Sequence, residues 1–124
     1  MNHNQKIGKW GEEIADQYLQ RCGYTILARN WKSPYGEIDL IAIRDNVITM
    51  VEVKTRIGTR YGWPEEAVTP VKQEHLMNAG QTYMDGSTEF SQLPWQVDVI
   101  AILVESLKDN RYQLKHYRNA VSGI

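Results

Sequence analysis

Asp39, Glu52 and Lys54 are the residues of this 124-residue chain whose types and spacing can do chemistry. They fall in two short apolar segments, Gly36-Glu37-Ile38-Asp39-Leu40-Ile41-Ala42 and Val51-Glu52-Val53-Lys54. Both read as β-strands, being short, rich in β-branched residues and nearly continuous in apolar character. Asp45-Asn46 between them suits a two-residue hairpin turn, since both residues tolerate positive φ. With Arg44 facing Val47, the register predicts Asp39 directly opposite Glu52 and Glu37 opposite Lys54, all on one face.

Such a pairing is electrostatically costly. Opposed Cβ atoms lie about 4.5–5.5 Å apart, and like charges there destabilise a sheet. At an effective dielectric near 20, two carboxylates ~5 Å apart repel by roughly 3 kcal/mol, which exceeds the ~0.2–1 kcal/mol of a favourable cross-strand pair. A divalent cation turns the repulsion into a site, and carboxylate oxygens without soft ligands suit Mg²⁺ or Mn²⁺. Lys54 shares the face of Glu52 and adds an ammonium. Metal plus ammonium is equipment for phosphodiester hydrolysis, with an acidified water and charge stabilisation in the transition state. The plainer reading is a surface hairpin in which Lys54 neutralises its neighbours.

Composition frames the choice. Hydrophobic residues at 42% and charged residues at 23% suit one globular domain, residues 1–124. No apolar run resembles a signal peptide or membrane span, and a single cysteine, Cys22, fits a reducing cytoplasm. His3, His75 and His116 are scattered, so a structural zinc site is not expected. The net charge of −1 argues mildly against nucleic acid as a partner. Against that, Lys54-Thr55-Arg56-Ile57-Gly58-Thr59-Arg60-Tyr61 carries three cations and no acid directly after the acidic pair.

The elements that must position these residues follow from periodicity. Residues 5–22 predict an amphipathic helix stopped by Gly23, and residues 24–30 a first strand. Ser33-Pro34-Tyr35-Gly36 breaks the pattern before the hairpin, and a Gly- and Pro-containing loop spans Gly58 to Pro64. Thr69-Pro70 opens a second helix to about Met84, with Leu76, Ala79 and Tyr83 inward. Trp95–Val104 predicts a central strand and Tyr112–Tyr117 a last strand at an edge. The order α-β-β-β-α-β-β predicts an α/β fold, a mixed β-sheet of about five strands flanked by helices.

Helix, strand, Asp, hairpin, Glu-x-Lys and helix resembles the core of the PD-(D/E)xK nuclease superfamily, with its restriction-endonuclease-like fold. Within it, the chain closely resembles the YraN-like family of uncharacterised bacterial endonuclease-like proteins. The matching stretches are Gly8 to Glu12, Gly23 to Asn30, Gly36 to Ala42, Val51 to Arg56, Ala67-Val68-Thr69 with Lys72, and Val97 to Ile100. The resemblance covers residues 8 to 102 and assigns the two acids to Asp39 and Glu52 and the lysine to Lys54. A similar core in archaeal Holliday junction resolvases assigns a helical glutamate to Glu12. The usual proline before the first acid is Ile38 here. The resemblance implies Mg²⁺- or Mn²⁺-dependent cleavage of a nucleic-acid backbone, DNA more than RNA, with branched or damaged structures as candidate substrates.

Helical geometry separates Glu12, on the border of the apolar face, from Glu13, which points to solvent. Asp39 and Glu52 are then expected to hold the ion, with the Val53 carbonyl as a third ligand and Glu12 supporting it directly or through water. Arg56, Arg60, Lys72 and Trp63 are the candidate nucleic-acid contacts. Lys72 projects from the inward side of its helix, where it either nears a phosphate or lays its stem over apolar surface. Glu37 is expected to pair with Lys54 or an arginine. Asp98, an acid in an apolar strand, needs a buried partner, and a structural salt bridge is the expectation. Trp10 and Trp95 are assigned to the core. The rival reading is a non-catalytic module that keeps the fold and binds DNA or a protein. A homodimer spanning a duplex is an expectation by analogy of fold.

Overall fold

The computed structural model describes residues 1–60 and 62–121. Helix α1, His3–Arg21, starts two residues earlier than the apolar spacing predicts, because Asn2 and Gln5 form a capping box. Asn2 Oδ1 accepts from the Gln5 amide at 2.8 Å, and Gln5 Oε1 accepts from the Asn2 amide at 3.0 Å. Gly23, at φ 90°, ends the helix as its position in the sequence predicts.

Strands β1 (Thr25–Ser33), β2 (Gly36–Arg44) and β3 (Val47–Ile57) then form an antiparallel meander. The β2–β3 turn is Asp45-Asn46, at φ 52° and 61°, the doubly positive pair that a type I′ hairpin requires. Arg44 faces Val47 as expected. A short 3₁₀ turn, Pro64–Ala67, leads to helix α2, Pro70–Gly86, whose N-cap Thr69 accepts from the Lys72 amide. Strands β4 (Trp95–Ser106) and β5 (Arg111–Val121) complete one sheet in the order β1-β2-β3-β4-β5. Among the described residues only β3 and β4 run parallel, joined through α2, so the sheet is mixed as predicted. β5 lies at an edge; β4 is interior, while the middle strand is β3 rather than β4.

The two helices cover opposite faces. Ala15 and Leu19 of α1 pack with Leu40, Val51, Ile100 and Ile102, whereas Leu76, Ala79 and Met84 of α2 pack with Ile41, Ile48, Met50 and Val97. Each helix approaches the sheet at a glycine. A Cβ on Gly11 would stand 1.9 Å from Thr55 Oγ1, and one on Gly80 would stand 2.5 Å from the Trp95 ring. Trp10 meets Tyr112 edge-on at 5.5 Å, so both Trp10 and Trp95 pack against the core as assigned. Among the described residues no helix is long and apolar enough to cross a membrane.

One irregularity of the sheet falls beside Asp39. In β2, Leu40 and Ala42 join the α1-side core and Ile41 and Ile43 the α2-side core, as strict alternation requires. Ile38 breaks that rule by joining the α2 side. In β1, Ala28 and Trp31 lie on that same side although they are three positions apart, where alternation would put them on opposite sides. The pairs Ala28↔Ile41 and Trp31↔Ile38 therefore flank a point where both strands reset their alternation. That point holds Asn30, at φ 49°, and Asp39.

Candidate active site

The β2–β3 ladder runs from Arg44↔Val47 to Leu40↔Val51 and stops there. Asp39 is thus the first β2 residue beyond the paired region, and it does not face Glu52 across a regular ladder as the hairpin register predicts. The strands part because β2 resets its alternation at this residue. In place of a ladder bond, Asp39 Oδ2 accepts from the Val53 amide at 2.8 Å. Glu37 likewise has no ladder partner on β3, since it lies beyond the last pair, and its carboxylate accepts from Asn30 rather than from Lys54 or an arginine.

The parted strands open a cleft of about 820 Å³ between the N-terminal turns of α1 and α2. Its walls bring together Glu12, Asp39, Glu52, Val53 and Lys54, joined by Glu37 and by Arg56 and Lys72 of the expected contacts. Glu12 is half-buried and Glu13 exposed, as their helical positions predict. Arg60 and Trp63 do not line this cleft. The Trp63 ring lies under the Lys115 ammonium, 5.3 Å from its centroid, beside Leu103 and Gln113. Tyr61, which closes the basic stretch, is outside the described residues.

Burial dominates the electrostatics. Glu52 is only 3% exposed, and its buried Oε2 has no hydrogen-bond partner among the described residues. The Lys72 ammonium lies 3.5 Å from that oxygen, an ion pair that lacks hydrogen-bonding geometry. Burial, and then the charge of Glu52, push the Asp39 carboxyl up to about 8, against the Val53 amide, which favours the charged form. Burial also raises Glu52, with Lys72 and Lys54 opposing. Two adjacent acids, Glu52 buried and Asp39 half-buried, cannot both ionise cheaply, so the pair retains a proton near neutrality. A cation would replace that proton.

The residues present fit a hard divalent ion. Among the described residues Glu52 Oε2 is an unsatisfied buried oxygen, and Asp39 beside it has a raised affinity for a proton, a place that a cation would suit. Among the described residues no three of His, Cys, Asp and Glu converge closely enough to hold a metal, so the protein offers a carboxylate pair rather than a triad. Mg²⁺, which keeps several waters, tolerates so small a protein ligand set.

Asn30 is the site residue that the sequence reading missed. Its Nδ2 donates to Glu12 Oε1 at 2.7 Å and to Glu37 Oε1 at 2.8 Å. The signal that could have found it is an asparagine, a residue that tolerates left-handed backbone, inside an otherwise β-forming run. Asp98 lies outside the cleft and has the structural partner expected of it. It is fully buried, and its Oδ2 lies 2.7 Å from His116 Nε2, whose Nδ1 meets the Tyr18 hydroxyl at 2.9 Å. Hydrogen bonds from His116, the Asn119 amide and Gln96 hold Asp98 below the usual carboxylate range despite burial.

Comparison with known proteins places the chain among relatives of its own length. It is 46% identical over 117 residues to a UPF0102 protein of Syntrophomonas wolfei, covering 94% of this chain and 98% of that one. It is 43% identical over 112 residues to a UPF0102 protein of Chloroherpeton thalassium, covering 90% and 86%. A UPF0102 protein of Clostridium botulinum matches at 40% over 117 residues, 94% of each chain. The profile of the family described as "Uncharacterised protein family UPF0102" matches residues 11–102, from the α1 glycine to the middle of β4. The cleft residues from Glu12 to Lys72 lie within the matched region, while the wall made by His3, Asn4, Ile7 and Gly8 precedes it, and the chain belongs to the UPF0102 family.

Proposed function

We propose that the protein is a metal-dependent nuclease of the PD-(D/E)xK type that hydrolyses phosphodiester bonds of DNA, with branched or damaged structures as candidate substrates. The observation that carries this reading is the Asp39–Glu52 pair, half-protonated and with one oxygen unsatisfied, in a cleft that also contains Lys54. Bound Mg²⁺ or Mn²⁺ would supply an acidified water and neutralise charge at phosphorus. Asp39 and Glu52 would hold the ion, with the Val53 carbonyl as the third protein oxygen. The Val53 amide keeps the Asp39 carboxylate oriented through its 2.8 Å hydrogen bond.

Lys54 follows Glu52 by two residues on the same strand, so its ammonium is delivered to the same side of the cleft. There it orients the attacking water and stabilises negative charge on the phosphoryl oxygens. Arg56 and Lys72 are positioned to take flanking phosphates. Lys72, now 3.5 Å from Glu52 Oε2, would be free to take a phosphate if an ion neutralised Glu52 in its place.

The test is cleavage of labelled single-stranded, duplex, flapped and four-way DNA, with an RNA equivalent, in Mg²⁺ or Mn²⁺. Cleavage that disappears in EDTA and in Asp39→Ala and Glu52→Ala is the expected result. Binding across the panel that is indifferent to EDTA, with no cleavage, would replace the nuclease by a recognition module.

A further inference from the structure

Glu12 and Glu37 come from different elements, α1 and β2, yet both place Oε1 within hydrogen-bond distance of one nitrogen. An ionised carboxylate only accepts, so the atom between them must be the Asn30 NH₂ group, whose two hydrogens serve one glutamate each. Without that amide, two acids held so close would repel and turn apart. Among the described residues no other side chain hydrogen-bonds either carboxylate, so the second oxygen of each is left for solvent or a ligand. Both glutamates are half-buried and line the cleft that contains Asp39 and Glu52.

The backbone of Asn30 belongs to the same device. It stands at φ 49° across from Asp39, where β1 and β2 both reset their alternation. A left-handed residue there lets the strands turn, which takes Asp39 out of the ladder and aims the Asn30 carboxamide at the two glutamates. One residue therefore shapes both acidic pairs.

We propose that Asn30 is a positioning residue: its carboxamide clamps Glu12 and Glu37 into a carboxylate pair that binds the water shell of a divalent cation held by Asp39 and Glu52. The inference rests on the metal-dependent reading above. Glu12 and Glu37 act through water, because they do not converge with Asp39 and Glu52 into a direct ligand cluster. Outer groups of this kind typically change metal affinity about 10–100-fold.

The experiment is Mn²⁺ affinity, read from the paramagnetic resonance of the free ion, with melting temperature as a control for folding. Asn30→Gly keeps the left-handed backbone available and removes the carboxamide, so it separates the two roles of the residue. It is expected to weaken Mn²⁺ binding by about tenfold. Glu12→Gln/Glu37→Gln should weaken it similarly, and adding Asn30→Gly to that pair should cost little more. Unchanged affinity in Asn30→Gly, or a loss that adds in full to that of the glutamine pair, would overturn the clamp.

A second measurement needs no substitution at Asn30. In the wild-type protein, Mg²⁺ should shift the Asn30 side-chain amide resonances in a proton–nitrogen NMR spectrum, and Glu12→Gln should shift them as well. Resonances indifferent to both would equally overturn the proposal. Wild-type protein that takes up no Mn²⁺, or Asp39→Ala that takes it up unchanged, would instead bring down the cation reading, and the clamp with it.

Discussion

A carboxylic acid at the floor of a cleft, beside a second acid, holds its proton far above the ordinary range, and for Asp39 that means about 8 against 3.8. Between those values the folded protein binds a proton that the unfolded chain does not. Stability of the metal-free protein should therefore fall as pH rises from about 4 to about 8, by on the order of a few kcal/mol. Urea denaturation at pH 5 and pH 8 checks this. Asp39→Asn, which cannot ionise, should flatten the slope and be the more stable form at pH 8. The same proton must leave when a cation enters. Calorimetry in two buffers of different ionisation enthalpy should show release of about one proton per Mg²⁺ at pH 7, and none in Asp39→Asn. Asp39, Glu52 and Lys54 were legible in the sequence because a tight hairpin and a period of two bring them together. Asn30 was not, because its partners lie 18 residues before it and 7 after it, and only the finished fold joins them.

At the scale of elements, the site depends on how closely two helices lie on the sheet. Gly11 precedes Glu12, and its missing Cβ lets α1 settle against Thr55. Gly11→Ala should push the helix outward, cost about 1–3 kcal/mol and displace Glu12 from the cleft. Thr55→Ala removes the atom that clashes at 1.9 Å, so the double variant should recover most of the loss in thermal denaturation. No rescue would show that α1 is placed by something else. The Asp98–His116–Tyr18 chain ties β4, β5 and α1 together behind the site. Asp98→Ala strips His116 of its buried partner and should destabilise the protein by about 3–5 kcal/mol without changing metal affinity. Sequence alone indicated that Asp98 needed a partner but could not name His116, which β-pairing brings close from 18 residues away. Local chemistry was easier to read: Thr69-Pro70 and Asp45-Asn46 specify a cap and a turn by themselves. The Asn2–Gln5 capping box precedes the apolar periodicity, so a reading based on that periodicity starts the helix late.

For the whole molecule, charge distribution matters more than charge. The net value of −1 gives no general attraction to nucleic acid, yet Lys54, Arg56 and Lys72 all line the one cleft that contains the acidic pair. DNA binding should accordingly show a shallow salt dependence, a log–log slope of about −2 to −3, since only a few phosphates are engaged. Arg56→Ala should weaken binding more than Arg60→Ala or Trp63→Ala, whose side chains lie off the cleft. The order of elements along the chain and the mixed sheet were legible because each element carries its own periodicity. The parting of β2 from β3 was not, since the hairpin register, extended unbroken, predicts a continuous ladder. That parting is what makes a cleft instead of a charged surface. The most direct measurement is diffraction from Mn²⁺-soaked crystals at a wavelength where manganese scatters anomalously. A metal held by the acidic pair gives a single strong anomalous peak within bonding distance of both Asp39 and Glu52, with Lys72 withdrawn from Glu52. A Glu52 carboxylate still paired with Lys72, and no peak beside Asp39 at saturating Mn²⁺, would contradict it.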